Sequence, residues 1–335
     1  MNRLIGLLAA GVLVVAGCGS GSPASVAPSA QPSSSTAPAS VAPSANAYTI
    51  GVVFNSLNHP YTSAAAAAVQ AECAAKQVTC IIKDPKFDAT VQDQMIGELI
   101  TQKVDAIIAI PVSAPTFGAT AKRITDAGIK LINWNTPVAK ADEKLVSAFS
   151  GPSNVKEGES AGKFMHDALG GKGKIIVIEG QAGNVTAQER SQGFEDALKA
   201  LNSQIEIVAK QPADWDRAKA LSIAQALLTR DPEVVGIYAH DDDLAQGAIQ
   251  AAQALGRTVG EGGLIVVGIG GSKEGVNAVR SGLMAGTVIQ SPSLDGKSAV
   301  DIALRVLAGE TVEYWNYIDT PAVDKQDAQS IEGEW

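Results

Sequence analysis

Ala106-Ile107-Ile108-Ala109-Ile110 is apolar at every position, and that continuity decides the fold class. A strand with one wet face alternates polar and apolar residues, whereas a run that is apolar throughout has both faces covered. Its neighbours say what covers them. Residues 89–103 read as a helix behind a capping Asp88, a second helix lies near 115–127, and a strand follows at 130–134. The alternation extends outwards in both directions. Strands at 48–55 and 79–83 flank an alanine-rich helix at 61–76. Further strands at 174–179, 205–210, 234–239, 264–269 and 285–290 alternate with helices near 185–201, 217–229, 244–255 and 273–281. This order specifies an α/β fold with parallel sheets covered by helices on both faces. About eleven strands are more than one open sheet usually carries. Two doubly wound lobes are therefore expected, dividing near 149–153, where Gly151-Pro152 interrupts the pattern. A TIM barrel shares the alternation, but the strand count is too high for it and the period is irregular over 145–150.

The first 47 residues read differently. Arg3 supplies a positive flank, and residues 4–16 form an apolar run too short to span a bilayer comfortably. Val15-Ala16-Gly17-Cys18 then resembles the lipobox of bacterial lipoproteins, which implies a signal peptide over 1–17 and a lipid on Cys18. An ordinary signal with an incidental cysteine is the alternative. Residues 19–47 carry no charge and no aromatic, and Ser25-Val26-Ala27-Pro28-Ser29-Ala30 returns as Ser40-Val41-Ala42-Pro43-Ser44-Ala45. Such a stretch cannot bury enough apolar surface to offset its ordering entropy. It reads as a disordered tether over 18–47.

About 290 residues remain, enough for one large domain or two lobes. The net charge is −9, with no basic run, which makes nucleic acid and anionic membrane surfaces poor partners. Beyond Cys18 only Cys73 and Cys80 remain. Outside the cytoplasm they could be bridged. A bridge and two buried thiols both stay open, and no C-x-x-C motif supports redox or zinc chemistry.

Ligands in open α/β sheets meet the carboxyl ends of the strands. Those windows are 55–62, 110–116, 134–138, 179–190, 211–217, 239–243, 269–273 and 290–294. Aromatics make up 4% of the chain, yet Tyr61, Trp134 and Trp215 fall in these windows, as do His59 and His240. The coincidence suggests a cleft that stacks on and hydrogen-bonds a small polar ligand. Trp215, in Gln211-Pro212-Ala213-Asp214-Trp215-Asp216-Arg217, can pack on the C–H face of a sugar or staple the following helix, with Asp214 or Asp216 as cap. Tyr61 can wall the other side, although core packing is the simpler reading. Arg190 offers a planar five-donor fork suited to vicinal hydroxyls, and a surface ion pair is its plainer role. His240-Asp241-Asp242-Asp243 lacks the alternate spacing of a calcium loop, so no metal is expected. Asp241 is a helix cap or an acceptor for ligand hydroxyls. Gly268-Ile269-Gly270-Gly271 only partly imitates a dinucleotide fingerprint. No nucleophile–base pair is legible and no cofactor is expected, so the chain reads as a binder rather than an enzyme.

Three segments carry a resemblance: Val52-Val53-Phe54-Asn55-Ser56-Leu57-Asn58-His59-Pro60-Tyr61, Ala187-Gln188-Glu189-Arg190-Ser191-Gln192-Gly193-Phe194, and the Trp215 loop. Here the chain resembles the bacterial periplasmic sugar-binding proteins of the ribose/galactose type, the type I solute-binding proteins, over nearly everything from Tyr48 to about Asp319. The resemblance implies ligand contacts from His59, Tyr61, Asn135, Arg190, Trp215 and Asp241, with Gln290 at the hinge. It also implies three crossings between lobes, near 151–153, 291–292 and 318–320. One lobe would then comprise 48–151 and 291–318, the other 152–290 and 319–335. Two departures bear on the ligand. Asn135-Thr136 stands where the family often has Asp-Arg, and Gly270 stands where a second aspartate is expected. Losing those charged partners points to a sugar, polyol or related small polar ligand and weakens the case for ribose itself.

The resemblance implies the monomeric receptor of an ABC importer, closing by hinge motion and docking on a permease driven by its ATPase, held at the membrane by the Cys18 lipid. A chemotaxis or signalling co-receptor is the alternative. A transcription repressor shares the effector fold, but it would need a helix-turn-helix where this chain has an export signal.

Overall fold

The computed structural model describes residues 48–335; the expected signal peptide, Cys18 and the 18–47 tether lie outside the described residues. In chain order the elements are β1 (Thr49–Val53), α1 (Pro60–Ala75), β2 (Thr79–Lys83), α2 (Ala89–Thr101), β3 (Ala106–Ala109), α3 (Ala114–Asp126), β4 (Lys130–Trp134), β5 (Ala148–Gly151) and α4 (Asn154–Leu169). The chain continues through β6 (Lys172–Glu179), α5 (Val185–Ala200), β7 (Gln204–Pro212), α6 (Arg217–Arg230), β8 (Val234–Ala239), α7 (Asp242–Ala254), β9 (Ile265–Val267), α8 (Lys273–Ser281), β10 (Thr287–Val288), α9 (Pro292–Leu307), β11 (Trp315–Tyr317) and β12 (Ala322–Val323).

The strands form two parallel sheets. One has six strands in the order β11-β5-β4-β3-β1-β2, and the other four in the order β7-β6-β8-β9. β10 and β12 make a small antiparallel pair. The apolar run at β3 behaves as its composition requires. Ala106, Ile108 and Ile110 enter the core beneath α1 and α9, while Ile107 and Ala109 enter a second core with α2 and α3. In the four-stranded sheet Ile176 and Ile178 likewise face one core, and Ile175 and Val177 the other. Burying both faces is what makes every position apolar.

The order reverses between β1 and β3 in one sheet and between β6 and β8 in the other. Crevices open at such reversals, outside the carboxyl ends of the strands. The chain passes from one sheet to the other after β5, between β10 and α9, and between β11 and β12, since α4 packs on β8 and β9 while α9 packs on β3, β4 and β5.

Five elements were not among those the sequence predicts: β5, α4, α9, β11 and β12. The three strands have four residues or fewer, too short to show a period. α4 is hidden in the sequence by Gly158 and Gly162, which lower helix propensity and are required because the helix lies almost backbone to backbone on α5. A Cβ on Gly158 would overlap the Arg190 carbonyl and come within 2.9 Å of Phe194 N. The structure bonds Cys73 to Cys80, tying the end of α1 to β2.

Candidate functional site

The loops at the carboxyl ends of β1, β4, β6, β7 and β8 converge on one cleft between the sheets. Its lining includes His59, Tyr61, Asn135, Arg190, Trp215, Asp241 and Gln290, so all seven predicted residues are brought together. Its cavity volume is about 70 Å³, room for a few water molecules. Several lining residues double as helix caps, because a helix starts where each strand ends. His59, Asn184 and Asp241 cap α1, α5 and α7. Helix N-termini thus point their N–H groups towards the cleft.

On the six-stranded side the polar groups mostly satisfy one another. Tyr61 Oη donates to Asp295 Oδ2 at 2.6 Å, Asn135 Nδ2 donates to the same oxygen at 2.8 Å, and Trp134 Nε1 donates to Oδ1 at 2.8 Å. Burial pushes the Asp295 carboxyl up to about 6, against the pull of those donors. Burial, helped by the charge of Asp295, also raises Tyr61 and keeps its hydroxyl protonated. Tyr61 is therefore both core and wall, and its hydroxyl is already committed. Trp134 is fully buried, edge-on against Phe54. Its window at the end of β4 suggested the cleft, but its Nε1 is needed beneath it by Asp295.

On the four-stranded side Arg190 is 4% exposed, which corrects the plainer expectation of a surface ion pair. Its Nε and Nη2 both donate to Glu157 Oε2, at 3.0 and 2.8 Å. Nη1 donates to the His240 carbonyl at 2.6 Å, and Nη2 to Gln290 Oε1 at 2.7 Å. Four of its five N–H groups are thus engaged among the described residues, leaving one on Nη1. Gln290 Nε2 in turn donates to Tyr61 Oη at 2.8 Å. This continuous relay, Glu157–Arg190–Gln290–Tyr61–Asp295, runs from one lobe to the other under the cleft. Burial raises the Glu157 carboxyl, although Arg190 opposes it.

His240 is buried outside the lining, and burial and Arg190 lower its pKa well below the usual value. The neutral ring accepts from Gly180 N through Nδ1, so Nε2 carries the proton towards Ser191 Oγ at 3.2 Å. Its three aspartate neighbours diverge. Asp241 caps α7 through Oδ1, Asp242 accepts from Ser272 N and Thr287 Oγ1 inside the lobe, and Asp243 pairs with Arg217. Trp215 lies beside the Arg190 guanidinium, 5.9 Å from Cζ to its ring centroid. It lines the cleft and also precedes Asp216, the residue that caps α6.

Two pairs span the cleft. Thr136 Oγ1 and Thr186 Oγ1 are 2.9 Å apart. His59 Nε2 lies 3.1 Å from Asp241 Oδ2, yet neither atom has an aligned hydrogen bond among the described residues. His59 Nδ1 accepts from Tyr61 N, which puts the ring proton on Nε2. A donor and an acceptor thus face each other from opposite lobes, desolvated and unspent.

Residues 50–311 match the family model for a periplasmic binding protein domain. The chain belongs to that family. This periplasmic binding protein is similar to the ribose import binding protein of Salmonella typhimurium, 31% identical over 278 residues that make up 83% of this chain and 91% of that one. It is also similar to the xylitol-binding protein of Mycolicibacterium smegmatis, 31% identical over 252 residues, 75% of this chain and 70% of that one. An ABC transporter solute-binding protein from Mycobacterium smegmatis, solved with bound glycerol, superposes with a TM-score of 0.80 at 30% identity, covering 86% of this chain and 98% of that chain. The family comprises extracytoplasmic sugar- and polyol-binding components of ABC transporters, which deliver their ligands rather than transform them.

Sequence reasoning missed Asp295, Glu157 and Trp335. Thr136 and Thr186 lay inside strand-end windows and could have been named. Trp335 follows every predicted element, and no local pattern places it in the cleft.

Proposed function

We propose that this protein captures a sugar or polyol between two closing lobes and hands it to the permease of an ABC importer. The unspent pair of His59 Nε2 and Asp241 Oδ2 carries this reading. A ligand hydroxyl accepts from one and donates to the other, so closure around ligand satisfies two groups that otherwise stay buried and unaligned. The remaining Arg190 N–H adds a charge-assisted donor, and Tyr61 and Trp215 offer flat walls for C–H faces. In this reading the lobes comprise 48–151 with 291–318 and 152–290 with 319–335, and Gln290 rides the crossing between them. The receptor works as a monomer, held beside its permease by a lipid on Cys18 and a tether over 18–47.

Calorimetric titration with D-ribose, xylitol and glycerol tests the proposal. Saturable one-to-one binding of at least one is expected, weakened about tenfold or more in Arg190→Ala and in Trp215→Ala. Unaltered affinity in both variants would remove the site assignment.

A further inference from the structure

The segment after β12 returns to the cleft and lays an indole into it. Glu334 holds the six-stranded side, its Oε1 accepting from Ser291 Oγ at 2.6 Å and its Oε2 from Ser293 N at 3.2 Å. Trp335 holds the other side, its carbonyl accepting from Lys273 N at 2.7 Å and its Nε1 donating to the Gly270 carbonyl at 3.3 Å. The indole then lies across the opening, with its ring centroid 5.6 Å from that of His59 and 5.8 Å from that of Tyr61, edge-on to the latter. It lines the cavity with the seven residues already described.

Gly270 makes this possible. Its φ of +137° suits glycine alone, and a Cβ there would stand 2.8 Å from Trp335 Cζ2. The position that lacks a side chain is the position the indole fills. A flat apolar wall stands there, and Asp241 is the one side-chain carboxylate lining the cleft among the described residues. With both cross-cleft pairs in contact and the indole in place, only about 70 Å³ remains.

We propose that Trp335 is a ligand-contacting residue that narrows the site, so that it favours smaller sugars and polyols over the same ligands carrying an added hydroxymethyl group. The inference rests on the capture of a sugar or polyol proposed above. The wall acts by exclusion, and its loss relaxes selectivity rather than abolishing binding. D-Ribose and D-allose separate these effects, since D-allopyranose is D-ribopyranose carrying one added hydroxymethyl group on C5.

Calorimetric titration of the protein, Trp335→Ala and Trp335→Phe with both sugars tests it, with thermal melts confirming that each variant is folded. The unaltered protein should bind D-ribose at least about tenfold more tightly than D-allose, the discrimination one extra carbon allows in a tight pocket. Trp335→Ala should cut that ratio to about threefold or less, chiefly by gaining affinity for allose. Trp335→Phe, a smaller wall, should fall between and serves if the alanine variant does not fold. A ratio unchanged in the folded variants, or an original preference for allose, overturns the inference and leaves the capture reading standing. Failure of the unaltered protein to bind D-ribose, D-allose, xylitol or glycerol overturns both.

Discussion

Asp295 and Asp241 are buried carboxylates on opposite sides of the same cleft, and they are employed in opposite ways. Asp295 is saturated by Tyr61, Asn135 and Trp134, so it holds the floor and has nothing to offer a ligand. Asp241 gives one oxygen to the start of α7 and keeps the other, facing His59, without an aligned partner. Proximity to a cleft therefore does not make a carboxylate a ligand contact. Unspent hydrogen-bonding capacity does.

The largest effect that tests this contrast is on stability. Asp295→Ala strands the buried Tyr61 and Trp134 donors and the half-buried Asn135 amide, each buried one costing about 1–3 kcal/mol, so unfolding free energy should fall by about 4 kcal/mol in a urea titration. A loss below about 1 kcal/mol would mean that the donors find other partners and that the floor is not built around this carboxylate.

Acidity gives a somewhat smaller effect. Asp295 is pushed up to about 6 in the folded protein, against about 3.9 unfolded. Between those values the folded chain holds a proton that the unfolded chain has lost, so this group's contribution to stability falls as pH rises through the window and is level above it. A shift of about two units corresponds to about 3 kcal/mol. The protein should therefore lose about 3 kcal/mol relative to Asp295→Asn between pH 4 and 7. A difference that stays flat across that range would place the carboxyl at its ordinary value.

The smallest effect falls on Asp241. Asparagine caps a helix about as well as aspartate, so Asp241→Asn should change stability by less than about 0.5 kcal/mol. It removes the anionic acceptor, however, and affinity for D-ribose should drop about tenfold, or about 1.4 kcal/mol. Loss of stability without loss of affinity would reverse the roles assigned to the two aspartates.

The layered α/β order was legible because burial of both sheet faces writes itself into every position of β3 and into the central apolar runs of β1, β6 and β8. The seven candidate contacts were legible because strand ends are fixed by the same pattern, and the family resemblance selected among the residues there. What escaped depends on distant chain. Asp295 sits in the first turn of a helix the sequence did not reveal, just past the crossing at 291–292, and its role exists only once β4 and α1 are brought to it. Glu157 lies in α4, hidden by glycines that serve packing. Trp335 reaches the cleft because Glu334 bonds Ser291 and Ser293 while Trp335 itself bonds Lys273 and Gly270, and no periodicity records such a return.

The close seating of α4 on α5 has a consequence for how the affinity of this receptor can drift or be tuned. Gly158 abuts the carbonyl of Arg190 itself, while the neighbouring Glu157 grips the same residue's guanidinium. The backbone and the head of one arginine are thus indexed by consecutive positions on a helix behind the cleft. A single added methyl at Gly158 would shift the aim of the guanidinium without altering any residue that lines the cleft. The rear of this lobe is in effect a calibration screw for its front.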